Sequence, residues 1–282
     1  MKIKRSLLRY HGGKWLLAPW IISHFPDHRI YIEPYGGGAS VLLRKSPCYA
    51  EIYNDLDDRI VNVFRVLRDP ELSEELIHQL YLTPFARSEF DMSYDYTNDR
   101  VENARRTIVR SFMGYSSDAA TSIYKTGFRC SNFQSGRFAS KDWANYPNHL
   151  KYFIDRLKNV TIENRPAIDI IRRYDSEEVL FYLDPTYVHA TRTHKKKTGY
   201  LFEMTEQDHI DLAKVLKKSK AMKIISGYQS SLYDDLYGDW KKVSRKSHGQ
   251  AGNGKGNKIN IEVLWISPNA FKNHSLNFME NF

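Results

Sequence analysis

A short apolar run ending in three consecutive glycines constrains this chain more than any other feature. Residues 30–35, Ile-Tyr-Ile-Glu-Pro-Tyr, read as a strand, and Gly36-Gly37-Gly38 follows it directly. Ala39 to Leu43 then reads as the opening of a helix. A glycine turn between a strand and a helix forms a cradle for a nucleotide-like ligand at a sheet edge. Glycine admits positive φ there and lets the backbone approach the ligand closely. A second strand, Tyr49 to Tyr53, stops at Asn54-Asp55. That places an acid about 20 residues beyond the turn, in reach of ribose hydroxyls. Ile60, Val61, Phe64 and Leu67 recur at helical spacing over Asp58 to Leu67. The order predicts the start of a doubly wound α/β sheet, and it admits several nucleotide cofactors.

The rhythm changes from about residue 69 to 156. This stretch holds several helix-like segments, including Glu102 to Met113, and an irregular run from Gly114 to Asn145. Strands return at Val160 to Glu163, Val179 to Leu183, Met222 to Ser226 and Ile261 to Ile266, with a helix at Glu206 to Leu216. An aromatic turn is expected around Tyr228 to Trp240, then a basic, glycine-rich loop from Lys241 to Lys258. The predicted organisation is therefore a sheet domain made of residues 1–68 and 157–282, with a mainly helical insert at 69–156. A length of 282 residues with 41% hydrophobic content supports a core of that size.

The formal charge of +9 favours a polyanionic partner, because cationic side chains displace counterions from phosphate. In the insert, Arg105, Arg106, Arg110, Lys125, Arg129, Arg137 and Lys141 are interleaved with Phe112, Tyr115, Tyr124, Phe128 and Phe138. Such a mixture suits phosphate clamping with a few base contacts. Cys48 and Cys130 lie far apart and outside any C-x-x-C, so neither a disulfide framework nor a zinc site is expected. No histidine has metal-ligand spacing, and no metal is expected. Met1 to Arg9 is basic without an apolar signal segment, and no apolar run approaches the ~20 residues of a membrane span, so a cytoplasmic protein is predicted. Gly249 to Lys255 superficially resembles a phosphate loop, but it lacks the preceding strand and following helix.

The discriminating motif is Asp184-Pro185-Thr186-Tyr187, directly after the apolar strand Val179 to Leu183. As an ordinary feature, Asp-Pro begins many strand-end turns. As chemistry, it suits an aromatic amine. The lone pair of an adenine amino group is delocalised into the ring and is a poor nucleophile. The Asp184 carboxylate and the Pro185 carbonyl can both accept its hydrogen atoms and favour a more tetrahedral nitrogen. The Tyr187 ring offers a flat face for an extruded base.

Tyr10-His11-Gly12-Gly13-Lys14, Ile32 to Gly38, Asn54-Asp55, Asp184 to Tyr187 and Glu262-Val263-Leu264-Trp265-Ile266 occur in one order. In that order the chain resembles the Dam-like (D12 class) N6-adenine DNA methyltransferases. The likeness is strongest to the phage and prophage branch, through Ile162 to Ala167 and Val109 to Gly114. The resemblance implies a Rossmann-like methyltransferase sheet with an inserted target-recognition domain. It implies S-adenosylmethionine as methyl donor and double-stranded DNA as substrate, bound by a monomer or weak dimer. By position, Tyr10 and Lys14 would contact the cofactor, Lys14 through its methionine carboxylate. Glu33, Pro34, Gly36 and Gly38 would form the cofactor loop, and Asp55 would hold the ribose. Asp184, Pro185 and Tyr187 would bind the target adenine beside the cofactor, and Arg105, Arg110, Lys125, Arg129 and Arg137 would meet DNA. Two positions depart from the family. Thr186 stands where Pro is usual, and Ala167 where an acid often reads the cofactor adenine, with Asp169 a weak substitute. Two alternatives share these motifs: an adenine methyltransferase acting on RNA, and a DNA-binding protein with a degenerate methylase site.

Overall fold

The computed structural model describes residues 3–121, 124–130, 138–188, 200–249 and 258–272. Its centre is a seven-stranded sheet in the order β3-β2-β1-β4-β5-β7-β6. The strands are β1 (Ile30–Glu33), β2 (Ala50–Asn54), β3 (Val160–Glu163), β4 (Val179–Leu183), β5 (Met222–Gly227), β6 (Lys241–Gly249) and β7 (Lys258–Ile266). The first five are parallel, and β7 enters antiparallel between β5 and β6. The sheet is the Rossmann-like arrangement that the glycine turn predicts.

Alternation along the strands explains the two faces. On β4, Leu180 and Tyr182 join one apolar cluster while Val179, Phe181 and Leu183 join the other. All five residues of β4 are buried, as a parallel strand covered on both sides requires. Each such aliphatic or aromatic side chain stabilises the fold by roughly 1.5–3 kcal/mol. Helices α8 (Ala167–Arg173) and α9 (Glu206–Lys218) cover one face. The other face packs on α1 (Ala18–Ile22), α2 (Asp58–Arg68) and the helices of the 69–156 stretch.

That stretch is mainly helical: α3 (Pro70–Leu82), α4 (Arg87–Met92), α5 (Arg100–Met113), α6 (Ala139–Ala144) and α7 (Leu150–Leu157). Ile108 and Phe112 of α5, Phe153 of α7, and Tyr31 and Tyr182 of the sheet share one apolar cluster. Buried Glu51 of β2 accepts the Arg156 guanidinium of α7 at 2.9 Å, which ties the returning helix to the sheet.

Three local expectations are corrected. Residues after the glycine turn form successive turns, not a helix: Ala39 has φ +51°, and the Glu33 carboxylate takes the Leu42 N–H at 2.6 Å. The Tyr228 to Trp240 stretch contains α10 (Ser231–Leu236), with Ser230 capping it through the Tyr233 N–H. Lys241 to Lys258 is no simple loop, because Lys241 to Gly249 pairs along its whole length with β7. At one end of the sheet, β6 carries Lys241, Lys242, Arg245 and Lys246, charges of the kind that discourage edge-to-edge pairing. Residues 250–257 lie outside the described residues.

Candidate active site

The strand numbering reverses between neighbours β1 and β4, and at such a switch point the loops at the carboxyl ends part and leave a crevice. Ile32 and Phe181 are register partners, so the glycine turn after Glu33 and the Asp184 turn leave the same edge side by side. A cavity of about 490 Å³ opens there. Tyr10, Lys14, Glu33 to Gly38, Asp55 and Asp184 all line it. The volume suits a nucleoside-sized ligand.

The glycine turn is anchored to the end of β2. The Gly37 N–H donates to Asp55 Oδ2 at 2.8 Å, and the Tyr53 hydroxyl donates to the Gly37 carbonyl at 2.7 Å. Gly37 has φ +47°, and a Cβ there would stand 2.7 Å from the Tyr10 ring. A Cβ on Gly36 would stand 2.2 Å from the Tyr53 ring. The backbone therefore borders the cavity with no side chain in the way. Asp55 also accepts the Asp57 N–H at 2.9 Å, so its carboxylate shapes the turn. Burial pushes its pKa up to about 6, against the pull of those N–H donors. Glu33, 2% exposed, accepts the Tyr31 hydroxyl at 2.8 Å, and burial pushes it up to about 8.

Lys14 follows a tight turn, closed by the Gly13 N–H to the Tyr10 carbonyl at 3.1 Å, and leads into α1. The residue is 5% exposed, and its ammonium lies 2.8 Å from Asp184 Oδ2 and 3.8 Å from Glu262 Oε1. Burial opposes its charge, but the two carboxylates outweigh that and hold its pKa above the usual lysine value. The second Asp184 oxygen accepts the Ser226 hydroxyl at 2.9 Å, and Ser226 in turn lies 3.0 Å from the Tyr182 hydroxyl. The carboxylate is thus fixed from two sides at the end of β4.

Pro185 and Tyr187 are not among the residues lining the cavity. The Tyr187 ring stands beyond Lys14, whose Nζ lies 4.9 Å from its centroid, and the Tyr228 ring meets it edge-on at 4.5 Å. Its hydroxyl donates to Glu262. Lys14 and Asp184 therefore stand between the glycine-lined cavity and an aromatic corner. Thr186 lines the cavity, and its hydroxyl accepts the Met204 N–H at 2.9 Å, a contact a proline could not make. Ala167 also lines the cavity, whereas Asp169 does not.

Sequence reasoning gave no site role to Glu262, although its motif carries the resemblance, and missed Ser226 and the rim formed by Tyr200, whose hydroxyl donates to the His11 carbonyl at 3.1 Å. An acid inside the apolar run 261–266 was the available signal for Glu262. The basic residues of the 69–156 stretch divide. Arg105 is held by Glu102 and by Glu89 at 2.7 Å. Arg110 is buried against Tyr94, and burial pulls its pKa down to about 10. Lys125 pairs with Asp91 on the surface, Arg129 is half-buried, and Arg137 lies outside the described residues.

Among the described residues no helix is long and apolar enough to cross a membrane. Residues 10–249 match the D12 class N6 adenine-specific DNA methyltransferase family. A type II methyltransferase of Methanocaldococcus jannaschii is 26% identical, with 87% of this chain and 92% of that protein covered. A DNA adenine methylase of Salmonella typhi is 25% identical, covering 84% and 85% respectively. The DNA adenine methylase of Vibrio cholerae is 22% identical and covers 95% of this chain and 98% of its own. With its acid turn and its glycine turn at one sheet edge, the chain belongs to the D12 class of N6-adenine-specific DNA methyltransferases, enzymes that require a methyl donor and act on DNA.

Proposed function

We propose that the chain takes its methyl group from S-adenosylmethionine and places it on an adenine extruded from double-stranded DNA. The observation that carries this reading is the shared edge: Asp184 and the glycine turn line one cavity. When bound, S-adenosylmethionine supplies an electrophilic sulfonium methyl group. The Glu33 to Gly38 turn, Asp55 and the Tyr10 ring would hold the adenosyl moiety. Lys14 would meet the carboxylate end, consistent with its place on the cavity wall. The Asp184 carboxylate and the Pro185 carbonyl accept the amino hydrogens of the target adenine, and the Tyr187 ring stacks on the base. Positioning and preorganised acceptors supply the rate, with no covalent enzyme intermediate.

Residues 69–156 form the target-recognition region. Lys125 and Arg129 are the cations kept for phosphate contact, because Arg105 and Arg110 are engaged within the helical packing. A single copy suffices for this reading, and a DNA substrate goes with a cytoplasmic location. The test is transfer of labelled methyl groups from S-adenosylmethionine to duplex DNA by wild type and by Asp184→Ala. Loss of one preorganised acceptor costs roughly 10²–10³ in turnover. A variant that keeps most of its turnover overturns the assignment.

A further inference from the structure

We propose that Glu262 is the positioning residue of the base-binding side, fixing the Tyr187 ring through its hydroxyl and holding Lys14 between two acids. The inference rests on the reading that Tyr187 stacks on the target base.

Topology brings this acid to the site. In the antiparallel pair, Val263 lies opposite Gly227, the last residue of β5. Glu262 therefore stands one step beyond the end of β5, at the edge where the parallel strands finish and Asp184 begins its turn. Its neighbours Val263, Leu264 and Trp265 are buried in the two apolar clusters, and Glu262 itself is 3% exposed. A carboxylate removed from water is costly unless donors meet it. Among the described residues two groups meet it, and both belong to the site: the Tyr187 hydroxyl by a hydrogen bond and the Lys14 ammonium as an ion pair at 3.8 Å.

The geometry couples the two. The hydroxyl is the one polar handle on the Tyr187 ring, and Tyr228 braces that ring edge-on at 4.5 Å. With the hydroxyl anchored, the ring plane is set before a base arrives. The same acid balances Lys14, which lies 2.8 Å from Asp184 and 4.9 Å from the Tyr187 centroid. One side chain on β7 thus sets the relation between the stacking ring and the carboxylate that receives the amino group. Glu262 acts through Tyr187 and Lys14, without touching substrate.

The experiment uses duplex DNA that the wild-type protein methylates, with 2-aminopurine in place of the methylated adenine. Fluorescence gain reports loss of stacking within the duplex, that is extrusion of the base, independently of turnover. Glu262→Ala is expected to lower both the gain and kcat by about ten- to a hundredfold, the value of a hydrogen bond to a charged acceptor. S-adenosylmethionine is held at saturating concentration throughout, because Glu262 also pairs with Lys14, which is proposed to meet the cofactor carboxylate. Glu262→Gln keeps an oxygen for the hydroxyl and should recover most of the gain, while Tyr187→Phe should reproduce the loss. In the Tyr187→Phe background, Glu262→Ala should lower the gain no further. Wild-type gain in Glu262→Ala, or full additivity with Tyr187→Phe, overturns the proposal. Should Glu262→Ala not fold, Tyr187→Phe against Glu262→Gln decides it: retained gain in the first, or lost gain in the second, is contrary. Tyr187→Ala separates the two readings. Unchanged gain there removes the stacking role itself, whereas lost gain there with normal Glu262 variants removes only the role of Glu262.

Discussion

The Lys14 ammonium sits 2.8 Å from one Asp184 oxygen while Ser226 donates to the other at 2.9 Å. The Asp184 carboxylate is therefore held by a cation from the turn that leads into α1 and a hydroxyl from the end of β5.

Removing that cation leaves Asp184 and Glu262 facing each other with little water. Lys14→Met is expected to lower unfolding free energy by about 3–5 kcal/mol, as loss of one partner from a buried pair does. Denaturant titration would show it. Lys14→Met combined with Asp184→Asn should be less destabilised than Lys14→Met alone, because the stranded charge is then gone.

Glu33 gives the pH dependence a definite sign. Its folded pKa is raised to about 8 by burial, so the folded protein holds a proton that the unfolded chain releases near the ordinary glutamate value. Stability from this group is present below that ordinary value and declines as pH rises through the window up to about 8. Thermal midpoints measured across that window should fall with pH in the wild type and flatten in Glu33→Gln.

Gly37→Ala places a Cβ 2.7 Å from the Tyr10 ring at φ +47°. The left-handed backbone alone costs about 1–2 kcal/mol. Calorimetry should show S-adenosylmethionine binding weakened by about tenfold or more. Gly127→Ala, whose Cβ would meet only Tyr115 at 3.9 Å, serves as the control with unchanged binding.

The cations of residues 69–156 should separate in a salt titration of DNA binding. Lys125→Ala is expected to weaken binding and reduce the slope of log K against log salt by about one. Arg105→Ala should leave the slope unchanged and lower the melting midpoint, because its guanidinium serves Glu102 and Glu89. Equal slopes for Lys125→Ala and wild type would remove Lys125 from the interface.

Much of this was legible locally. The apolar runs of β1, β4 and β5 and the spacing of Ile60, Val61, Phe64 and Leu67 mark their elements because period and burial coincide. The motif Asp184 to Tyr187 and the glycine turn could be placed at one edge because parallel strands align their carboxyl ends. What stayed hidden was long-range. β6 has no apolar alternation, so its ladder with β7 is set by pairing, not by its own side chains. Ala39 reads as a helix start until the Leu42 N–H is captured by the Glu33 carboxylate, nine residues before Leu42. Arg105 and Arg110 looked like a DNA-facing stripe, yet α5 lies against α2 and carries both into packing.

Because β7 wedges in backwards between β5 and β6, the last strand of the sheet is not its outermost one. Lys14 and Asp184 are brought together by the parallel part of the sheet and its turns, whereas Glu262 reaches them only through the β5–β7 pairing. The aromatic corner thus depends on a register between distant parts of the chain, and a slip of one residue along that ladder would turn the acid away from the ring it holds.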